Sequence, residues 1–467
     1  MFTDLTRFNW LTLHGLVTVV AVLVYIVSSH LMHQRRHPAA AIAWMLFILL
    51  LPYMALPAFL SFGSRKRPRP LRSPLPAPPR NHAVDAWAVD TIIALAQPAP
   101  APYTELNIHA DGHQARIALM ATIGEARASI DLCTFILGRD RLGESVVDAL
   151  CVRARSGVRV RLLLDGLGSL MARHPDLARL VDAGGTCALF VPPLHSPLKG
   201  RSNLRNHRKL VSADAGLPTC RLWCGGRNLA AEYFDGSTHT PPWHDLSFDL
   251  RGPLVDQASD LFERDWAFAN GRATPPAATR AAPAAGPPIE GGAQLVASGP
   301  DQSDDTLHAL LVTAAYRAQE RIAIATPYFV PEAALLMALC LAARRGVAVD
   351  LLLPARSNHR LSDLVRGRAL RSLAQAGGRI WLAPGMMHAK LALFDDVLAL
   401  AGSANLDSRS LFLNYELMCA FHAPGDVRRF ADWFDHERSA AAAYVAAQPG
   451  LGRDIAEGML LWLGFQL

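Results

Sequence analysis

The chain has 467 residues, 51% of them hydrophobic, which allows two or three domains and exceeds the apolar content an ordinary soluble protein needs. Its 46 Lys and Arg against 40 Asp and Glu give a net charge of +6, which suits an anionic partner without separating nucleic acid from a lipid surface. Seven scattered cysteines, with no CxxC pair and no His/Cys ligand spacing, exclude a cysteine-built metal site and agree with a reduced compartment.

The apolar excess lies at the N-terminus. WLTLHGLVTVVAVLVYIVSS, from Trp10 to Ser29, carries no charged side chain, and neither does AAAIAWMLFILLLPYMALPAFLSF, from Ala39 to Phe62. Each run approaches the ~20 residues that cross a hydrocarbon core as a helix, so residues 1–72 are expected to hold a transmembrane hairpin and its basic flank. Pro52 and Pro57 leave a kinked or re-entrant second segment as the alternative. A cleaved signal peptide fits poorly, because the start MFTDLTRFNW carries Asp4 and only Arg7. Arg35 and Arg36 sit in the connector, whereas Arg7, Arg65, Lys66, Arg67, Arg69 and Arg72 flank the outer ends. That asymmetry puts both ends in the cytoplasm.

Residues 73–102 form a proline-rich linker, and a second Pro/Ala/Gly break spans 271–292. They delimit two lobes, 103–270 and 293–467. In the first, ARASIDLCTFIL is followed by a helical stretch and RARSGVRVRLLLDG; in the second, AQERIAIATPYF leads through a helical stretch to AARRGVAVDLLLPA. Strand, helix, strand is the grammar of a parallel α/β unit, and its recurrence marks an internal duplication.

The chemistry-bearing segments recur in the same order. His207, Lys209 and Asp214 in NHRKLVSADAG precede Asn228 in GGRN; His388, Lys390 and Asp395 precede Asn405 in GSAN. Both copies satisfy H-x-K-x4-D followed by G-[GS]-x-N. The first has ten residues between Asp214 and Gly225 where the second has six between Asp395 and Gly402, a difference that a longer turn through Gly216 and Pro218 absorbs. A strand's period of two places His388 and Lys390 on one face, and a lysine among apolar residues calls for an anion.

These paired motifs resemble those of the phospholipase D superfamily. With the anchor's RRHPAAAIAWMLFILLLPY, and with TPYFVPE and GSANLDSRSLFLNYE, the chain resembles bacterial cardiolipin synthases over nearly its whole length. The resemblance implies an α/β fold of two pseudo-twofold-related lobes, mixed sheets flanked by helices, after the membrane hairpin. It further implies phosphatidyl transfer between phosphatidylglycerol molecules at a bacterial inner membrane, with cardiolipin as product. Catalytic lobes in the cytoplasm, no cofactor, no metal and no nucleic acid partner are expected; oligomeric state and the second lipid, for which phosphatidylethanolamine is an alternative, stay open. Phospholipase D-type hydrolysis, including nuclease action, uses the same motifs, although a nuclease gains nothing evident from the hairpin.

The residues carry a physical reading of their own. Neutral imidazole attacks phosphorus, and a second, protonated imidazole supplies the leaving alkoxide's proton; a phosphohistidine divides the displacement into two steps. By resemblance His207 is the nucleophile and His388 the acid. Lys209, Lys390, Asn228, Asn405 and Ser403 are candidates for holding the phosphoryl oxygens. Asp245 in WHDLSFDLRGP and Glu416 in LNYELMCAF, each a charge in an apolar strand, are candidates for orienting the histidines. Asp214 and Asp395 belong to the catalytic motif by resemblance, yet their odd offset from the lysines places them on the opposite face, as structural partners. Tyr328 and Phe329 fit a cleft border or the core equally, and RDIAEGMLLWLGFQL at the C-terminus fits an amphipathic helix on the membrane or on the domain.

Overall fold

The computed structural model describes residues 2–31, 38–62, 86–192, 203–237, 240–272, 292–302, 304–453 and 457–458. Arg35 and Arg36, the basic flank, most of both linkers and nearly all of the C-terminal stretch lie outside them. The N-terminal helices fall in one compact unit, together with residues 191–192 and 203–204, and the other described residues of both lobes in another.

In the N-terminal unit, α1 (Phe2–Leu31) is followed by α2 (Pro38–Leu50) and α3 (Pro52–Phe62). The second apolar run is therefore not one helix. Pro52 has no N–H to continue the ladder of α2 and suits the first position of a new helix, so the run divides into pieces of 13 and 11 residues. Among the described residues no helix is long and apolar enough to cross a membrane, and the expected hairpin of two spans is not shown. Ala21, Tyr25, Ile48, Ala55 and Phe59 form a small buried cluster. Outside it, Leu16 is 62% exposed, Leu50 72% and Met54 65%.

A short helix, α4 (Trp87–Ala94), leads into the lobes. The first lobe runs β1 (Thr104–Ile108), α5 (Gly112–Glu125), β2 (Ser129–Thr134), α6 (Arg141–Arg155), β3 (Arg159–Leu164), α7 (Gly166–Ala172), α8 (Ala178–Asp182) and β4 (Thr186–Leu189). It continues with β5 (Arg205–Asn206), β6 (Leu210–Ala213), β7 (Arg221–Gly225), β8 (Ser247–Arg251) and α9 (Leu254–Ala269). The second lobe opens with β9 (Ala293–Ser298), α10 (Thr306–Arg317), β10 (Arg321–Ala325), β11 (Phe329–Val330), α11 (Ala333–Arg344), β12 (Ala348–Pro354), α12 (Arg360–Gln375) and β13 (Arg379–Ala383). It closes with β14 (Leu391–Phe394), β15 (Leu398–Gly402), β16 (Leu406–Asp407), α13 (Ser408–Phe412), β17 (Asn414–Phe421), α14 (Pro424–Ser439) and β18 (Ala442–Ala443).

The duplication is visible in the strand order. The first sheet reads β1-β8-β7-β6-β2-β3-β4, and the second, from its edge strand β9, reads β9-β17-β15-β14-β10-β12-β13 before ending in β18. In each, three strands are parallel and joined through helices, and the motif-bearing hairpin adds antiparallel strands beside them. The parallel strands are buried and rich in Leu, Ile and Val, as strands covered on both faces must be. Asp140 caps α6 by accepting from the N–H groups of Leu142 and Gly143, which fixes where the crossover begins. The lobes also pair with each other at the motifs: β5 lies parallel to β17, Arg205 opposite Asn414, and on the other side Met387 forms a single parallel bridge to His244.

The two motif hairpins turn at aspartates. Asp214 and Asp395 adopt φ of 52° and 49°, left-handed conformations that Asp tolerates better than most residues. Asp214 accepts from the N–H groups of Arg127, Ala128 and Ser129 at 2.7 to 3.0 Å and from the Thr219 hydroxyl at 2.8 Å. Asp395 accepts from Gln319, Glu320 and Arg321 N–H at 2.8 to 3.0 Å. Each carboxylate thus ties its hairpin to the start of β2 or β10. The longer first turn is accommodated between Ala213 and Arg221, which pair across it, and Gly216 takes a φ of 81° there.

The backbone bonds hold the Asp214 carboxyl below its usual range although burial opposes them. A depressed carboxylate stabilises the fold fully above its unfolded value and loses that contribution as pH falls through the folded one. Asp214→Ala is expected to cost ~2–4 kcal/mol, and Asp395→Ala, whose N–H groups water reaches, ~1–2 kcal/mol. Thermal or denaturant melts check this, and the activity of the remaining folded fraction should persist.

Candidate active site

The strand β6 starts just after His207-Arg208-Lys209, and β14 just after His388-Ala389-Lys390. Each histidine is fixed by the opposite lobe at two levels. The His207 N–H donates to the Tyr415 carbonyl at 2.9 Å, and the His388 N–H donates to the His244 carbonyl at 2.6 Å. The side chains repeat the exchange: His207 Nδ1 lies 3.0 Å from the Glu416 carboxylate, and His388 Nδ1 lies 2.6 Å from Asp245 Oδ2. Both candidate carboxylates therefore hydrogen-bond a histidine, that of the other lobe in each case. Phe135 packs against the His207 ring at 5.1 Å, and Tyr233 and Trp243 pack against His388 at 5.0 and 5.5 Å.

The carboxylates are themselves held. Glu416 accepts from Ser403 Oγ at 2.5 Å and from Asn414 Nδ2 at 3.2 Å. Ser403, expected to bind a phosphoryl oxygen, instead spends its hydroxyl on Glu416 and on the Leu417 N–H, because a buried carboxylate is the strongest acceptor in its reach. The first lobe has Gly226 in the corresponding place, where a Cβ would stand 2.2 Å from Asp245 Oδ1. The shorter Asp245 lies where the serine would be, and takes the Leu246 N–H at 2.7 Å.

Lys209 and Lys390 are almost wholly buried beside the rings. Lys390 Nζ stands 2.7 and 3.0 Å from the two ring nitrogens of His388, and Lys209 Nζ donates to the His207 carbonyl at 2.7 Å. The Asn228 amide donates to Tyr233 Oη at 2.7 Å, while its Oδ1, like that of Asn405, is buried without a partner. Amide orientation is assigned from such networks, and an end turned over presents an N–H to phosphate.

Burial and neighbouring charge set the protonation states. Burial depresses Lys209 to about 8 and Lys390 to about 7, against the pull of Asp245 and Glu416. Burial and then Lys390 push His388 down to about 3; burial also lowers His207 against Glu416. Lys209 adds to the depression of His388, and Lys390 to that of His207, so the two lobes' groups share one electrostatic neighbourhood. Glu416 and Asp245 stay below the usual carboxylate range although burial opposes it, each held first by its histidine.

Asp214 and Asp395 are not part of this cluster. Four strand residues separate each from its lysine, an offset of five positions or about 16 Å along the chain, and both are committed to backbone N–H groups. Residues that sequence reasoning passed over lie on the closed face of the motif. Asn206 Nδ2 and Arg208 both bind Asp265, and Arg208 also reaches the Glu416 carbonyl, locking β5 to the second lobe. Their alternation with His207 and Lys209 was the available signal.

Comparison with known proteins agrees with this geometry. The family described as "Cardiolipin synthase, PLD-like domain" matches twice, at residues 119–266 and 311–438. The chain belongs to the cardiolipin synthase family of phospholipase D-like proteins. It is 30% identical to cardiolipin synthase A of Pseudomonas putida (strain W619), over 86% of each chain. It is also 30% identical to cardiolipin synthase 1 of Bacillus anthracis, over 92% of this chain and 89% of that one. The solved phosphatidylserine synthase of Haemophilus influenzae Rd KW20 superposes with a TM-score of 0.60 at 11% identity, covering 79% of this chain and 97% of that one, which shows the shared fold. Membership of this family makes the chain a phosphatidyltransferase.

Asp245→Asn and Glu416→Gln should each lower kcat by ~10²–10⁴-fold with little change in melting temperature, since each loses the tautomer-fixing acceptor. Ser403→Ala, which only loosens Glu416, should cost less, about tenfold. An anion between the lysines opposes the field that depresses Lys390 and His388. Inorganic phosphate binding at pH 7.5 should therefore take up protons, read by titration calorimetry in buffers of different ionisation enthalpy; release of protons contradicts the electrostatic account.

Proposed function

We propose that the protein makes cardiolipin from two phosphatidylglycerol molecules through a phosphatidyl-histidine. His207 attacks the phosphorus of the first lipid, the P–O bond to the headgroup glycerol breaks, and His388 gives the departing oxygen its proton. The primary hydroxyl of the second lipid then attacks the same phosphorus, its proton passes to His388, the P–N bond breaks, and cardiolipin forms. Lys209, Lys390, Asn228 and Asn405 hold the non-bridging oxygens while charge redistributes.

The observation that carries this reading is the crosswise pairing of both imidazoles through Nδ1 with carboxylates, which favours Nε2 of each ring as the atom that exchanges with phosphorus or proton. Family membership supports the lipid. One phosphodiester is exchanged for another, so the step needs no nucleotide, but water must be kept from the intermediate. His388 is neutral at rest, and the substrate's own negative charge, set against Lys390 and Lys209, favours its protonated form.

The exposed apolar side chains on α1, α2 and α3 support a membrane anchor there. On this reading the lobes face the cytoplasmic side of a bacterial inner membrane, with the basic flank of residues 65–72 at the headgroups.

Purified protein given labelled phosphatidylglycerol should produce cardiolipin and glycerol in equal amounts, and His207→Ala or His388→Ala should each cut turnover by at least ~10³-fold. Phosphatidic acid as sole product identifies a hydrolase instead. A trapped phosphopeptide should contain His207; one containing His388 reverses the two roles.

A further inference from the structure

The turn that follows GGRN lies outside the paired motifs, yet it is built as firmly as they are. Asp140 caps α6 with one carboxylate oxygen and with the other accepts the Ala231 N–H at 2.8 Å, which pins a 3-10 turn, Ala231–Tyr233, beside that helix. Arg227, within GGRN, donates through Nε to the Tyr233 carbonyl at 3.0 Å and through Nη1 to Ser247 Oγ at 3.2 Å. The Trp243 N–H donates to the Glu232 carbonyl at 2.8 Å, and the Trp243 ring meets that of Tyr233 edge to face at 4.6 Å. Held in this way, Tyr233 is only 3% exposed.

Its side chain makes two contacts of different kinds. The ring lies 5.0 Å from that of His388, and the hydroxyl lies 2.7 Å from the Asn228 amide. The backbone at Asn228 is held from the other direction: the Leu229 N–H donates to the Ile136 carbonyl at 3.0 Å, next in sequence to the Phe135 ring that packs on His207. Asn228 is thus tied on one side to an aromatic neighbour of His388 and on the other to the segment that carries the aromatic neighbour of His207.

A phenol has one proton to donate, and a carboxamide has an acceptor at one end and two N–H groups at the other. A 2.7 Å contact fits either end, so the orientation follows from what each choice leaves unpaired. With Nδ2 toward Tyr233, the phenolic proton has no acceptor among the described residues and Oδ1 is buried without a partner. With the amide turned, the phenolic O–H donates to Oδ1 and these two groups satisfy each other. The free end of the amide then carries donors, the polarity that an anionic phosphoryl oxygen accepts from most strongly.

We propose that Tyr233 is a positioning residue: its O–H donates to Asn228 Oδ1 and so turns the amide N–H groups toward the phosphoryl oxygens during phosphatidyl transfer. This deepens the proposed function and rests on the phosphate-holding role given there to Asn228. Five residues after Asn405 the second lobe has Ser410, so the phenol serves one asparagine only. Phenylalanine at 233 keeps the ring on His388 and removes the hydroxyl alone, which separates the two contacts.

The test uses the full-length protein in neutral detergent micelles, with two readouts: the affinity for inorganic phosphate by titration calorimetry at pH 7.5, and kcat for cardiolipin formation from phosphatidylglycerol. Tyr233→Phe should lower both by about tenfold, with the pH profile of kcat unmoved because His388 keeps its aromatic neighbour. In an Asn228→Ala background the same substitution should add nothing to either loss. Asn228→Asp still accepts from the phenol but turns an oxygen toward the anion, so it should bind phosphate more weakly than Asn228→Ala does. Unchanged phosphate affinity and kcat in Tyr233→Phe overturn the proposal, as do losses that multiply in the double variant, or an Asn228→Asp protein that binds phosphate as the parent does. A parent whose phosphate affinities follow this cycle but which makes no cardiolipin refutes the transfer reading and leaves the role of Tyr233 standing.

Discussion

Everything in the active site depends on two buried carboxylate–imidazole pairs that cross between the lobes. Glu416 on β17 and Asp245 just before β8 are both buried, and among the described residues neither is bonded to a lysine or arginine; the ring from the other lobe is the principal counterpart of each. A buried charge left without its partner costs several kcal/mol, so the lobes cannot separate without exposing both defects at once. Catalytic geometry and lobe association are therefore maintained by the same hydrogen bonds.

Around this exchange the two halves have diverged in small, matched ways. Glu416 is long and is steadied by Ser403; Asp245 is shorter and lies against Gly226, where no side chain fits. Tyr233 and Trp243 both pack against His388, while Phe135 packs against His207. The site is thus symmetric in its reacting atoms and asymmetric in its surroundings. That suits the proposed two-step transfer, whose steps would use the same phosphorus but different leaving and entering groups.

Much of this was legible in the sequence because it follows from strand periodicity. Two like-spaced H-x-K pairs fix which side chains share a face, the odd offset of Asp214 and Asp395 removes them from it, and acids in apolar surroundings single out Asp245 and Glu416 as candidates. Partner choice was not legible: nothing local tells Glu416 to serve His207 rather than His388, because that depends on β17 lying beside β5. The bond from Ser403 to Glu416 was hidden for a related reason, since that reach is set by the pairing of β15 with β17. Hydropathy read residues 39–62 as one span with a kinked or re-entrant segment as the alternative, and could not say which of Pro52 and Pro57 interrupts the helix; the break falls at Pro52, while Pro57 lies inside α3.

The strand β5 carries a consequence for biogenesis. Its pairing partner β17 lies some two hundred residues downstream, so a nascent chain that has completed the first sheet still holds the His207 segment without its neighbour until almost the whole polypeptide has left the ribosome. A prematurely terminated product would keep a folded first sheet yet possess no assembled reaction centre. Lipid chemistry is thereby withheld until synthesis is nearly finished.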